Sequence, residues 1–120
     1  MSFEFDNNMP IYIQLVEQIK INIISGNLKP MDRLPSVREL ALQTKVNPNT
    51  MQKALAELEE TGLIFTERTN GKYVTGDQSL IDRYKKEYAQ SLARNFLQNM
   101  QKAGFTREEA LGCLREMEGV

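Results

Sequence analysis

At 120 residues, with 41% hydrophobic and 26% charged, the chain has the balance of one folded domain, or of a small domain carrying an appendage. No apolar run approaches the roughly 20 residues of a membrane span, MSFEFDNN does not read as a signal peptide, and the single Cys113 fits a reducing cytoplasm. Without histidine there are no Ser-His or Cys-His nucleophile pairs and no His-containing metal sites, and the seven glycines stand singly rather than in a phosphate loop. The carboxylate pairs Glu59-Glu60 and Glu108-Glu109 sit in helical patterns beside basic residues, as solvated helix faces do. The expectation is a cytoplasmic protein that is not an enzyme and holds no cofactor or metal.

The elements follow in order. Pro10 suits the first position of a helix, and Ile11, Leu15, Ile19 and Ile23, with Tyr12 and Ile24 beside them, form one apolar face that Gly26 ends. Asn27 to Leu34 reads as a loop, with room for a short strand around Arg33-Leu34. Ser36 and Glu39 have capping-box spacing and open a second helix, with Val37, Leu40 and Ala41 inward, which runs to about Gln43 or Thr44. Asn47-Pro48 then starts a third helix, buried along Met51, Ala54, Leu55 and Leu58 and stopped at Gly62. Two short helices about three residues apart make a helix-turn-helix.

Leu63 to Arg68 and Lys72 to Thr75 are strand-like, and Thr69-Asn70-Gly71 between them is a hairpin signal. Three helices and a hairpin in this order predict a winged helix-turn-helix. Gly76-Asp77 reads as a boundary, dividing residues 1–76 from a tail over 77–120. From Gln78 to about Lys102 no Gly or Pro interrupts, so the helix would be nearly 40 Å long. Ile81, Tyr84, Tyr88, Leu92, Phe96 and Met100 line one side of it. A last helix starts at the Thr106–Glu109 capping box, with Phe105 placed to staple onto Ala110 or Leu111. Mostly α, with one small hairpin and a two-helix tail, is the predicted fold class.

Charge gives the functional clue. From Leu40 to Ala56 there is no acidic residue, while Lys45 and Lys53 are present, and Arg33, Arg38, Arg68 and Lys72 lie close in sequence to the third helix and the wing. Glu57, Glu59 and Glu60 fall at the far end of the third helix, away from the N-terminal turns that normally meet base edges. Against DNA stand a net charge of −1 and a pI near 5.5. The residues alone leave a DNA-binding face and an ordinary basic, solvated face both open.

Four motifs in order bring in a resemblance. Pro35-Ser36-Val37-Arg38-Glu39-Leu40-Ala41, Val46-Asn47-Pro48-Asn49-Thr50, Leu55-x-x-Leu58-x-x-x-Gly62-Leu63-Ile64 and Gly71-x-Tyr73-Val74 together resemble the GntR family of bacterial transcription regulators over about residues 10 to 75. The short tail resembles the YtrA-type branch, which lacks larger ligand-binding domains. The resemblance implies a DNA contact, to phosphate or base, from Arg38, polar reading positions at Asn49, Thr50 and Gln52, and a wing-tip glycine at Gly71. Where many members carry arginines this chain has Pro48 and Gln52, and Met31 stands where the family usually has glycine. The expected role is that of a repressor, and the resemblance implies genes for an ABC-type transporter as targets.

An apolar stripe on a long helix needs a partner, and a two-fold dimer is the commonest solution. The expectation is therefore a homodimer joined through Ile81, Tyr84, Tyr88, Leu92, Phe96 and Met100, binding an inverted-repeat operator in double-stranded DNA. A small-molecule effector of unknown identity remains compatible with it, and no membrane is involved. The competing reading is a winged-helix protein-interaction module that never touches DNA, in line with the low pI.

Overall fold

The structure, a computed structural model, describes residues 3–117 and residue 119. It divides into two compact units, Met1–Lys85 and Lys86–Val120. Sequence alone placed a boundary at Gly76-Asp77; this division falls nine residues later, inside a continuous helix.

In the first unit, α1 (Ile11–Ile24), α2 (Val37–Thr44) and α3 (Pro48–Thr61) precede the strands β1 (Ile64–Glu67) and β2 (Gly71–Val74). Pro10 does not occupy the first turn of α1 but lies immediately before it, with extended backbone. The buried side of α1 holds Leu15, Ile19, Ile23 and Ile24, and also Gln14 and Asn22. These two polar residues are inside because each satisfies a neighbouring backbone. The Gln14 amide bonds Asp6 in both directions at 2.6 Å, and the Asn22 amide donates to Gln18 O at 2.7 Å. Residues 4 to 9 are thus laid along α1, where Gln18 makes a second two-way pairing with the backbone of Glu4.

Both caps expected of α2 and α3 form. Ser36 accepts from Glu39 N–H while Glu39 accepts from Ser36 N–H, and Asn47 accepts from Asn49 N–H ahead of Pro48. Helix α3 packs against both α1 and α2, burying Leu40, Ala41, Met51, Ala54, Leu55 and Leu58, while Val37 is half-buried. Gly62, at φ +84°, ends α3, and a side chain there would begin 3.2 Å from Leu80 Cδ2.

The hairpin pairs Ile64 with Val74 and Glu67 with Gly71. Its connection is Arg68-Thr69-Asn70, and Gly71 opens β2 at φ +99°, the left-handed residue that follows a three-residue hairpin turn. Met31 to Leu34 adds a third, fragmentary rung: Leu34 N–H bonds Lys72 O and Val74 N–H bonds Asp32 O, each at 2.8 Å, and Arg33 bridges Tyr73. Met31 has φ +68°, which explains why a glycine suits this position.

Helix α4 (Gln78–Lys102) is 25 residues long, and Asp77 Oδ1 accepts from Leu80 N–H at its start. Its first turns belong to the first unit, where Ile81 is 3% exposed. In the second unit, α4 is followed by Gly104, in the left-handed region, and α5 (Arg107–Glu116) begins with the expected Thr106–Glu109 box. Ala110 is buried there, but Phe105, Leu111, Leu114 and Met117 are exposed.

Candidate nucleic-acid interface

Helix α3 sorts its residues by the side they face. Met51, Ala54, Leu55 and Leu58 turn inward, so the helical repeat places Asn49, Lys53 and Ala56 on the opposite side, all exposed. Gln52 is exposed on one flank and Thr50 is half-buried on the other. The outward face is free of carboxylates until Glu60, near the C-terminal end. Orphan N–H groups and the positive end of the helix dipole lie at the Asn49 end, where anions are favoured. Arg38, on the first turn of α2, is also exposed.

Lys45 owes its place to the backbone. It caps α2 at φ +58°, ψ +38°, a left-handed conformation, while Val46 N–H bonds Ala41 O at 3.0 Å. That reversal turns the chain into α3 within three residues and leaves the Lys45 side chain in solvent.

The wing positions differ from one another. Arg68 is exposed in the hairpin connection. Arg33 reaches it from the rung beside β2, so a side chain at Gly71 would begin 3.6 Å from Arg33 Nε and Nη2. Lys72 is different. Its ammonium forms an ion pair with Glu59 and donates to Thr66 Oγ1 at 3.0 Å, and its side chain is only 15% exposed. Thr66 donates to the same carboxylate. Burial acts to raise the Glu59 carboxyl, but hydrogen bonds from Lys72 and Thr66 and the charge of Lys72 prevail, holding it below its ordinary value. Lys72 therefore straps the wing to α3, and it is less available to a ligand than its sequence position indicates.

Two residues of this face escape the sequence reading. Glu59 appears there only as one of several carboxylates far from the reading end, and Tyr12 only as part of an apolar face. Tyr12 lies on α1, yet the Lys53 ammonium sits 4.2 Å from its ring centroid and its hydroxyl donates to Glu57 Oε1 at 3.3 Å. Neither contact has a spacing signature, because each joins two separate elements.

The positions expected to join two copies also fall into two groups. Ile81 is buried in the first unit, and Tyr84 is half-buried there between Lys20 and Arg83, at 5.1 and 5.3 Å. Tyr88, Phe96 and Met100 are half-buried in the second unit, and Leu92 is 52% exposed. Cys113 is exposed and unpaired.

The family model described as bacterial regulatory proteins, gntR family, matches residues 11–74, more than half of the chain. The chain belongs to the GntR family. It is 38% identical over 111 residues to the HTH-type transcriptional regulator YhcF of Bacillus subtilis, covering 92% of each chain. It is 48% identical over 69 residues to the HTH-type transcriptional repressor YtrA of the same organism, covering 58% of this chain and 53% of YtrA. Among solved structures it resembles a GntR family transcriptional regulator from Listeria monocytogenes, with 42% identity and a TM-score of 0.88, over 95% of this chain and all of that one. The DNA-binding domain of AraR in complex with operator ORE1 is similar at 27% identity and a TM-score of 0.54, over 62% of this chain and 94% of that one.

These relatives are transcription regulators, not enzymes, and they include YtrA-type members as the motifs implied. The winged helix-turn-helix with C-terminal helices is the family's fold. No helix among the described residues is long and apolar enough to cross a membrane.

Proposed function

We propose that this GntR-family regulator binds an inverted-repeat operator in double-stranded DNA as a cytoplasmic homodimer and represses the adjacent genes. The observation that carries the reading is the outward face of α3, with exposed Asn49 and Lys53 and no carboxylate over its N-terminal turns. Its neighbours Arg38 and Lys45 are exposed cations, and the wing beside it is strapped in place by Lys72 and Glu59. A local basic face answers the objection from the overall pI near 5.5, because phosphate attraction is screened within about 10 Å at ordinary salt. Similarity to repressors and to a domain bound to operator DNA supports the same reading.

In this reading Arg38, Lys45, Lys53 and Arg68 contact phosphates, Asn49, Thr50 and Gln52 face bases, and Arg33 lies with Gly71 at the wing. Residues 1–76 carry DNA recognition and 77–120 dimerisation. The latter rests on Tyr88, Leu92, Phe96 and Met100 in the tail, since Ile81 is already covered. The resemblance to YtrA-type regulators points to ABC-type transporter genes as targets.

The test is a gel shift of the full chain on its own upstream region, followed by sequencing of genomic fragments it retains. Retained fragments should share an inverted repeat with half-sites about one helical turn apart or a multiple of it. No retention of any duplex at low salt would favour a protein-interaction module instead.

A further inference from the structure

We propose that Tyr12 is a positioning residue for the DNA face: it separates Lys53 from Glu57 and keeps the Lys53 ammonium free to meet a phosphate. The proposal rests on the DNA-binding reading above and assigns a role to a residue on α1, outside the helix-turn-helix itself.

Lys53 and Glu57 stand four residues apart on α3, neighbours across one turn and within reach of each other, with lysine first, the weaker order for pairing. They are not paired: among the described residues the only ion pair is the one between Lys72 and Glu59. Tyr12 occupies both would-be partners. Its hydroxyl donates to Glu57 Oε1 at 3.3 Å, and its ring face lies 4.2 Å from Lys53 Nζ. Tyr12 is half-buried, so one ring serves both groups from a fixed position, whereas Lys53 remains exposed.

The two ways of holding a lysine differ in what they leave over. A carboxylate neutralises the ammonium and consumes its N–H donors. An aromatic face attracts the cation through its quadrupole and accepts no conventional hydrogen bond, so the charge and donors stay available to phosphate oxygens. The ring also narrows the rotamers of a long side chain that would otherwise have to be ordered when DNA arrives. Asn49, one turn earlier on the same outward face, places Lys53 beside a position proposed to meet bases.

The phosphate contribution to binding does not depend on sequence, so the test uses a mixed-sequence duplex and the full chain, with affinity measured from about 50 to 200 mM salt. Tyr12→Leu should lower the salt slope by about one unit, which shrinks the affinity loss across that range about fourfold. Adding Glu57→Gln should restore the slope in the Y12L background and change it little in the wild type. Tyr12→Phe keeps the ring and its packing but frees Glu57. It should give a smaller, equally rescued loss, and it carries the test if Tyr12→Leu fails to fold.

A wild type with no salt-dependent binding overturns the DNA-binding reading and this role with it. A wild type that binds, with tyrosine variants that keep its slope or lose it without rescue by Glu57→Gln, overturns the positioning role alone.

Discussion

The two units differ in the core behind their exposed apolar residues: the first leaves Met9, Ile11, Ile13, Met31 and Leu42 36–73% exposed around a closed interior, whereas the second has almost no interior. In the first, Leu15, Ile19, Leu40, Met51, Leu55 and Leu58 have no accessible surface, and three helices and the hairpin share the core they form. In the second, Ala110 is the one fully buried apolar residue among those described, while Leu92, Phe105, Leu111, Leu114 and Met117 are 37–52% exposed. Hydrophobic burial provides most of the favourable free energy of folding. The first unit therefore has the means to fold alone, whereas the second needs a further surface to cover its own. The contrast is what the proposed split between recognition in the first unit and assembly in the tail rests on.

The sharpest way to break this contrast is to cut into each apolar set. Leu55→Ala should cost the first unit about 2–5 kcal/mol, the range for a large-to-small change in a closed core, read by urea denaturation. Leu114→Ala, at a residue 50% exposed, should cost the isolated chain less than about 1 kcal/mol. Equal losses at both positions would mean that the tail has a core of its own.

Association offers a second cut. If the proposed dimer forms through the tail, Leu92→Asp should leave unfolding of the first unit unchanged while weakening association by about 1.5–3 kcal/mol for each apolar side chain left uncovered, tenfold or more in sedimentation equilibrium. A truncation that asks the same question must end after Lys85, because ending at Gly76 would delete Ile81 from the first unit and Leu80 from its place over Gly62. The 1–85 fragment should be a folded monomer that binds one half-site weakly. A dimeric fragment would return the assembly role to the winged domain.

The wing strap has a pH signature. Because Glu59 is held below its ordinary value in the folded protein, its ionised form contributes stability above its unfolded-state pKa. That contribution is lost as the pH falls through the lower, folded-state value. Glu59→Gln should therefore flatten the acid side of the melting-temperature profile and leave a smaller difference from wild type at the lowest pH. A constant offset at every pH would assign the strap's effect to packing rather than charge.

What was legible in the sequence follows the range of the forces involved. Caps, turns and stripes are local, so the Ser36, Asn47 and Thr106 caps, the inward face of α3 and the two ends of α4 are all readable from spacing. Tertiary pairings are not. Nothing near Lys72 announces that Glu59, thirteen residues earlier, will take its charge, and nothing near Tyr12 announces Lys53. Gln14 and Asn22 look like surface residues because their amides serve backbone groups that apolar periodicity ignores. Ile81 shows a third limit: one uninterrupted helix carries one stripe, and which part of it is covered depends on where the preceding unit ends.

Lys45 gives the smallest expected change in stability and the finest test of the interface. Its backbone is left-handed, which costs an ordinary L-residue about 1–2 kcal/mol but suits asparagine, so Lys45→Asn should preserve the turn and leave stability within about 0.5 kcal/mol. The same change removes one exposed cation at the start of the turn into α3. If Lys45 meets a phosphate, affinity should fall by a similar factor for operator and mixed-sequence DNA, with the salt slope lower by about one unit. Lys45→Val, by contrast, puts a β-branched side chain on a left-handed backbone that lysine already strains, so it should destabilise the turn further as well as losing the charge. Unaltered DNA binding by the asparagine variant would leave Lys45 with a purely conformational role, and the phosphate contacts would then fall to Arg38, Lys53 and Arg68.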